Sequence, residues 1–175
     1  MTEENETQAG FTSIPMNKVL IALDFDPTAR KVAEAGYSLA TALGAKAVLL
    51  HVIADDVYFS SLEYSPITGF SGFSNSDYTL MASSEGLARA SEYFLESTMN
   101  HLGDETIQVI VEQGDFSEMI LKAAERTGAD LIVMGSHSRR WLDQILMGSV
   151  TEKVLHNTSL PLFIVPTKGP SPKKK

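Results

Sequence analysis

The sequence predicts an α/β fold in which five parallel strands form one doubly wound sheet with helices on both faces. Five short apolar segments alternate with four segments of helical periodicity, and glycine follows three of those four helical segments. Alternating strands and helices are typical of a parallel sheet that is covered on both sides. The length of 175 residues suits one domain with a sizeable core.

The predicted domain begins with a strand and a helix. The apolar run KVLIAL, 18–23, has the length of a buried strand. Asp26 and Pro27 are predicted as the N-cap and the first position of a helix. Gly44 then supplies the residue that ends this helix. The apolar run 46–53 is predicted as the second strand.

The segment from residue 55 to 78 has no clear period and is rich in serine, glycine and aromatic residues. Such a long connection in a compact domain indicates a functional lid or a mobile insertion. A helical pattern follows it and ends at Gly103. The positions that repeat at helical spacing are Leu87, Ser91, Phe94 and Leu102.

The second half of the domain contains the remaining three strands and two helices. Asp115 and Glu118 have the spacing of a capping box, so a helix is predicted to start there and to end at Gly128. The remaining elements are predicted as strands over 106–114, 130–135 and 160–166 and a helix over 149–157.

The natural strand order for this pattern is 3-2-1-4-5, which is a Rossmann-like arrangement. In that order the sheet reverses its winding between strands one and four. Ligands of such sheets bind beyond the carboxyl ends of the strands at this switch point. We therefore expect Asp24 and Gly135, which end strands one and four, to face the same crevice.

The last predicted helix offers a candidate anion site. Ser149 and Glu152 form an S-x-x-E capping box, which starts the helix directly after Gly148. The first backbone N–H groups of a helix lack intrahelical partners and attract anions. Gly148 and Gly135 have no Cβ, so a ligand can approach their backbone closely. The donor-rich residues after Gly135 are His137, Ser138, Arg139 and Arg140.

Each candidate also has a simpler structural interpretation. Ser149 can act as an N-cap alone, and the two arginines can be solvated. Asp24 can bond its own backbone, or it can hold a divalent cation or accept a hydrogen bond from a ribose or a base. Val52 and Met134 are core residues that can also form an apolar wall for a base. No P-loop, G-x-G-x-x-G, nucleophile elbow or metal-ligand spacing occurs in the sequence.

Composition restricts the partners and the compartment. The net charge of −8 disfavours binding to a nucleic-acid backbone, so a phosphate site has to be local. No apolar run is long enough to span a membrane. The absence of cysteine and the acidic start of the chain, which is unlike a signal peptide, predict a cytoplasmic protein. Residues 1–15 and the basic segment 167–175 are predicted to be flexible tails around a domain of residues 16–166.

The sequence resembles the universal stress protein family. ATP-binding members carry G-x2-G-x9-G-[ST] after the fourth strand, and Gly135, Gly148 and Ser149 stand at the matching positions, with Ser138 in place of the second glycine. Four further segments resemble the family's first, second, fourth and fifth strands, in this order: KVLIALDFDPTA, VLLHVI, GADLIVMGSHS and SLPLFIVP. The resemblance covers Asn17 to Pro166 apart from the insertion.

The resemblance implies a stress or signalling protein that binds ATP, with a magnesium-type ion near the phosphates and little or no turnover. Ala22, Asp24 and Val52 would face the adenosine. Gly135 and the residues Ser136 to Arg140 would wrap the ribose and phosphates. The outer phosphates would meet Gly148, Ser149, Val150 and Thr151. Two alternatives stay open: a dimeric interaction module with an AMP-type or empty site, and a slow ATPase using His137 and Asp24.

The fifth strand predicts a homodimer. It lies at the edge of the sheet in the proposed order, and residues 160–166 contain no charge that would prevent strand pairing. Pro161 and Pro166 cannot donate, so only the core from Leu162 to Val165 can form a ladder. A two-fold axis would pair two copies of this strand antiparallel, an interface that the family resemblance also implies.

Overall fold

The structure is a computed structural model that describes residues 14–54, 84–136 and 148–167. Its elements in chain order are β1 (Lys18–Leu23), α1 (Ala29–Leu43), β2 (Lys46–Ile53), α2 (Ser84–Leu102), β3 (Gln108–Gln113), α3 (Phe116–Thr127), β4 (Leu131–Gly135), α4 (Ser149–Asn157) and β5 (Leu162–Val165). The strands form one parallel sheet in the order β3-β2-β1-β4-β5. The predicted fold class and strand order are confirmed.

The sheet has a helical layer and a separate apolar core on each face. Alternate residues of a strand point to opposite faces, and the core side chains divide accordingly. Ile21, Leu49 and Val133 pack with α1 and α2 on one face. Leu20, Leu50 and Ile132 pack with α3 and α4 on the other, which we call the α3–α4 face.

Gly36 lets α1 approach the sheet closely. A Cβ built at this position would lie 2.9 Å from both Cδ1 and Cγ1 of Ile21, which is fully buried at the centre of β1. The helix therefore packs against the strand where a side chain is missing. Gly44 ends the same helix with φ 66°, a left-handed conformation that glycine adopts without strain.

The start of α1 differs from the prediction. The N-cap position belongs to Thr28, not to Asp26, and the helix begins at Ala29. The Asp26 carboxylate accepts hydrogen bonds from the N–H and the hydroxyl of Thr28, at 2.8 and 2.6 Å. An aspartate that bonds the backbone two residues ahead forms a turn of its own, and this turn delays the helix.

The other predicted helix and strand boundaries agree with the observed ones more closely. Asp115 caps α3 by accepting the N–H of Glu118 at 3.0 Å, as predicted. The ladder of β5 is confined to Leu162–Val165, between the two prolines. The third strand begins at Gln108 rather than at Thr106, whose N–H and hydroxyl bond the Asp104 carboxylate.

Several predictions fall outside the described residues. These are the first thirteen residues, the segment 55–78, the donors His137, Ser138, Arg139 and Arg140, and the tail from residue 168 onward. Among the helices that are described, none is both long and apolar enough to cross a membrane.

Candidate functional site

The carboxyl ends of β1 and β4 lie side by side, as the predicted crevice requires. Ala22 of β1 is in register with Met134 of β4. Asp24 follows β1 directly and is exposed at this edge. Val52 and Met134 are both buried on the α3–α4 face, and the half-buried Ala22 packs against the same cluster. The fold therefore brings three predicted apolar residues to one face, near the end of the strands.

Helix α4 begins beside the end of β4, but its cap differs from the prediction. Gly148 is the N-cap, with φ −73° and ψ 155°, and its carbonyl accepts the N–H of Glu152 at 2.9 Å. Ser149 is thus the first helical residue, and the predicted capping box is wrong. Because glycine has no side chain, the N-cap residue offers no acceptor to the N–H groups of the first turn.

Two hydrogen bonds attach α4 to Gly135 and Ser136, which we call the strand-end pair. The Thr151 hydroxyl donates to the carbonyl of Gly135 at 3.0 Å. The N–H of Gly148 donates to the carbonyl of Ser136 at 3.2 Å. Thr151 is buried, so its hydroxyl proton is used within the protein. These contacts hold the start of the helix directly against the end of β4.

Two further hydrogen bonds attach Ser136 to the last residue of β5 and to the chain that follows it. The N–H of Ser136 donates to the carbonyl of Val165 at 2.9 Å. The N–H of Thr167 donates to Ser136 Oγ at 3.1 Å, and the two hydroxyl oxygens are 3.5 Å apart. Thr167 is buried, so the prediction of a flexible tail from residue 167 onward is wrong at its first residue. No sequence pattern singles it out, because its partner is distant in the chain.

His51 is a second residue that sequence reasoning did not select. It is buried in the second half of β2, with Nδ1 2.8 Å from the carbonyl oxygen of Leu23. Its ring packs against Phe25 and Phe94, at centroid distances of 4.2 and 5.8 Å. Burial lowers the pKa of His51 to about 4, so the ring is neutral near pH 7. The neutral ring fixes the last residue of β1, immediately before Asp24.

Charged groups of α3 and α4 meet at the same edge of the sheet. The Lys153 ammonium lies 3.8 Å from the carboxylate of Asp115. The hydroxyl of Ser117 and the N–H of Glu118 bond that carboxylate and lower the pKa of Asp115. Over 14–54, 84–136 and 148–167, no cluster of three or more histidine, aspartate or glutamate side chains could hold a metal ion.

Comparison with known proteins gives the family. The model of the universal stress protein family matches residues 16–166. Universal stress protein MJ0577 of Methanocaldococcus jannaschii is 30% identical over 160 residues, which span 90% of this chain and 99% of that protein. Universal stress protein A homolog 2 of Coxiella burnetii is 31% identical over 153 residues, or 87% of this chain and 96% of the relative.

Solved structures show the same fold. The structure of MJ0577 superposes with a TM-score of 0.66 at 28% identity, covering 89% of this chain and 99% of that one. A universal stress protein solved in complex with cAMP has a TM-score of 0.57 at 16% identity and covers 89% of this chain. Sequence and architecture agree, and the chain belongs to the universal stress protein family.

Proposed function

We propose that this universal stress protein binds ATP in the crevice between β1 and β4 and acts as a nucleotide-dependent stress or signalling protein with little or no turnover. The observation that supports this most is the start of α4. A glycine N-cap leaves the first-turn N–H groups without a side-chain acceptor, directly beside the switch point of the sheet. Such N–H groups and the helix dipole together favour phosphate oxygens.

The phosphates in this proposal meet the backbone N–H groups of Ser149, Val150 and Thr151. Ser149 is exposed, so its hydroxyl is accessible to a phosphate oxygen. Val150 and Thr151 turn their side chains into the protein and offer the backbone alone. The sequence adds donors between Gly135 and Gly148, namely Ser138, Arg139 and Arg140 together with His137.

The adenosine in this proposal lies against the apolar residues at the end of the sheet. Ala22, Val52 and Met134 share one face there, and Asp24 provides a carboxylate for a ribose hydroxyl or a metal ion. Mg²⁺ is usually held by one or two carboxylates together with the substrate phosphates, so one aspartate suffices. The ion would neutralise phosphate charge in a protein whose own net charge is −8.

We expect little or no turnover because hydrolysis needs a base that orients water toward the γ-phosphate. Among the described residues, His51 is buried in β2 with its Nδ1 on the carbonyl of Leu23, so it does not serve as that base. Turnover through His137 and Asp24 would make the protein a slow ATPase instead. An AMP-type ligand is the alternative, since a universal stress protein of the same fold was solved with cAMP. We assign the function to the cytoplasm, which fits the absence of cysteine.

The test is direct measurement of the ligand. Mass spectrometry of the freshly purified protein should detect an adenine nucleotide, and calorimetric titration should rank ATP with Mg²⁺ above AMP, cAMP and GTP. Gly148→Val should weaken ATP binding by about 1–3 kcal/mol, because the added side chain blocks the approach of the phosphates to the first-turn N–H groups and their hydrogen bonds are lost. The N-cap φ of −73° suits any residue, so backbone strain does not explain such a loss.

The control is Leu155→Ala, at an exposed position of the same helix, which should bind ATP like the wild type. Tighter binding of AMP or cAMP than of ATP would favour the alternative ligand. Absence of heat with every nucleotide at millimolar concentration would refute the proposal.

We also propose a homodimer that pairs two copies of β5. The strand is an edge of the sheet, and an edge strand exposes unpaired N–H and C=O groups. Phe163 is 42% exposed on this strand, and Leu162 and Ile164 are half-buried. An antiparallel pair would cover these side chains and extend the sheet across the two-fold axis.

A further inference from the structure

Ser136 joins the start of α4 to the end of β5. Its carbonyl accepts the N–H of Gly148, and its own N–H donates to the carbonyl of Val165. Its hydroxyl oxygen accepts the N–H of Thr167 at 3.1 Å. One residue therefore holds the helix terminus on one side and the last strand on the other. The Ser136 hydroxyl oxygen also lies 3.5 Å from the Thr167 hydroxyl, so within the described residues every side-chain hydrogen bond of Ser136 is with Thr167.

The partner of this hydroxyl is itself held in place. Thr167 is only 7% exposed, and the preceding Pro166 carbonyl accepts the Lys31 ammonium of α1 at 2.5 Å. The chain after β5 is thus packed against both α1 and β4. A backbone N–H in such a buried segment can hold its acceptor in one position, since the backbone is already ordered and little of its conformational entropy is left to lose.

We propose that Ser136 and Thr167 act together as positioning residues for the phosphate site, by fixing the strand-end pair from which α4 begins. This inference rests on the proposed function. It assigns the Ser136 hydroxyl to Thr167 rather than to the ligand, and it extends the site to a residue beyond β5. ATP binds only to the fraction of molecules in which the helix terminus is correctly placed, so loss of the bond lowers the apparent affinity.

A double-mutant cycle separates positioning from direct contact. Ser136→Ala removes the acceptor, and Thr167→Pro removes the donor, since proline has no N–H. Each variant should weaken ATP binding about three- to tenfold, which corresponds to one hydrogen bond. The double variant should bind within twofold of the weaker single variant, because the same bond is lost in all three. Thr167→Val keeps the N–H and should retain more affinity than Thr167→Pro.

The control is another bond between a backbone N–H and a side-chain oxygen, at the amino ends of β1 and β4 and so at the far side of the sheet from the site. The N–H groups of Asn17 and Lys18 donate to the Asp130 carboxylate at 2.8 and 3.0 Å. Asp130→Ala should lower the melting temperature and leave the ATP affinity unchanged. This comparison distinguishes a specific effect on the site from a general loss of stability.

Hydrogen exchange provides a second measurement on the wild-type protein. If the bond and the ligand favour the same state, saturating ATP should slow exchange of the Thr167 amide at least threefold, by reciprocity. The amide of Lys18, bonded to Asp130, should exchange at the same rate with and without ATP. This measurement needs no variant, so a variant that fails to fold does not prevent the test.

The outcomes are distinguishable. Losses that multiply in the double variant, or an effect of Ser136→Ala without any effect of Thr167→Pro, would show direct ligand contact and overturn the inference alone. An unchanged Thr167 exchange rate at saturating ATP would also overturn it. Failure of the wild type to bind any nucleotide would overturn the proposed function and this inference with it.

Discussion

Acidification from pH 7 to pH 5 should lower the stability of the fold, because the unfolded chain protonates His51 in this range and the folded protein does not. The ring is buried against Phe25 and Phe94, which also contact each other, and Nδ1 donates to the carbonyl of Leu23. Burial lowers the pKa of His51 to about 4 from an ordinary value of 6.5. The unfolded chain therefore takes up a proton near pH 6.5, whereas the folded protein does so only near pH 4.

The sign and the magnitude of the pH effect on stability follow from the difference between these two pKa values. The free energy of unfolding keeps its full value with respect to His51 above pH 6.5 and decreases as the pH falls toward 4, because only the unfolded state binds the proton in that range. A difference of about 2.5 pKa units corresponds to about 3 kcal/mol in total. About 2 kcal/mol of this is lost between pH 7 and pH 5, before most carboxylates titrate.

Urea unfolding at fixed temperature and a series of pH values measures the effect. His51→Asn removes the titrating ring and keeps an N–H donor near the Leu23 carbonyl. This variant should be less stable at pH 7 and should lose about 2 kcal/mol less than the wild type on acidification to pH 5. His156→Asn, at an exposed position of α4, should retain the wild-type slope. Equal slopes in His51→Asn and the wild type would refute this reasoning.

Three further predictions concern packing, capping and assembly. In urea unfolding, Gly36→Ala should lower the free energy of unfolding by about 1–3 kcal/mol, because the new Cβ would lie 2.9 Å from Ile21. The control Ser38→Ala, on the exposed side of α1, should leave it unchanged. A Gly36→Ala variant more stable than the wild type would contradict the close packing. Asp115→Ala should lower the free energy of unfolding by about 1 kcal/mol, and Asp115→Asn should lower it much less. Because the pKa of Asp115 is lowered in the folded protein, the stability advantage of the wild type over Asp115→Asn should persist above pH 4 and disappear as the pH falls further. Equal stability of the Ala and Asn variants would count against the cap. Light scattering should report a mass of about twice 19.0 kDa for the wild type and the mass of one copy for Phe163→Asp. The control Leu43→Asp should stay dimeric, because Leu43 is as exposed as Phe163, 43% against 42%, but lies in α1. Equal masses of the two variants would exclude a dimer through β5.

Much of the fold could be predicted from the sequence because the signals are local. The strands of 18–23 and 46–53 are apolar runs, and the left-handed conformations at Gly44, Gly103 and Gly128 end helices as predicted. Strand order followed from the alternation of elements, since few topologies satisfy the handedness of parallel crossovers. The errors fell on the starts of elements. The Asp26 carboxylate bonds the N–H of Thr28 and forms a turn before α1, and Gly148 rather than Ser149 is the N-cap of α4. Thr106 bonds Asp104 and lies before the start of β3.

The candidate site was only partly predictable, because some of its features depend on local sequence signals and others on contacts between distant residues. The sequence by itself determined the family, the sheet and the two glycine junctions at Gly135 and Gly148, because each depends on spacing along the chain. Only the tertiary structure decided that His51 is buried and neutral, that the Thr151 hydroxyl bonds Gly135, and that Ser136 joins Thr167. These contacts connect residues 16 to 31 positions apart, and no local pattern specifies a partner at that distance. They form because the parallel sheet brings the carboxyl ends of β1, β4 and β5 to one edge, where buried polar groups must find hydrogen-bond partners.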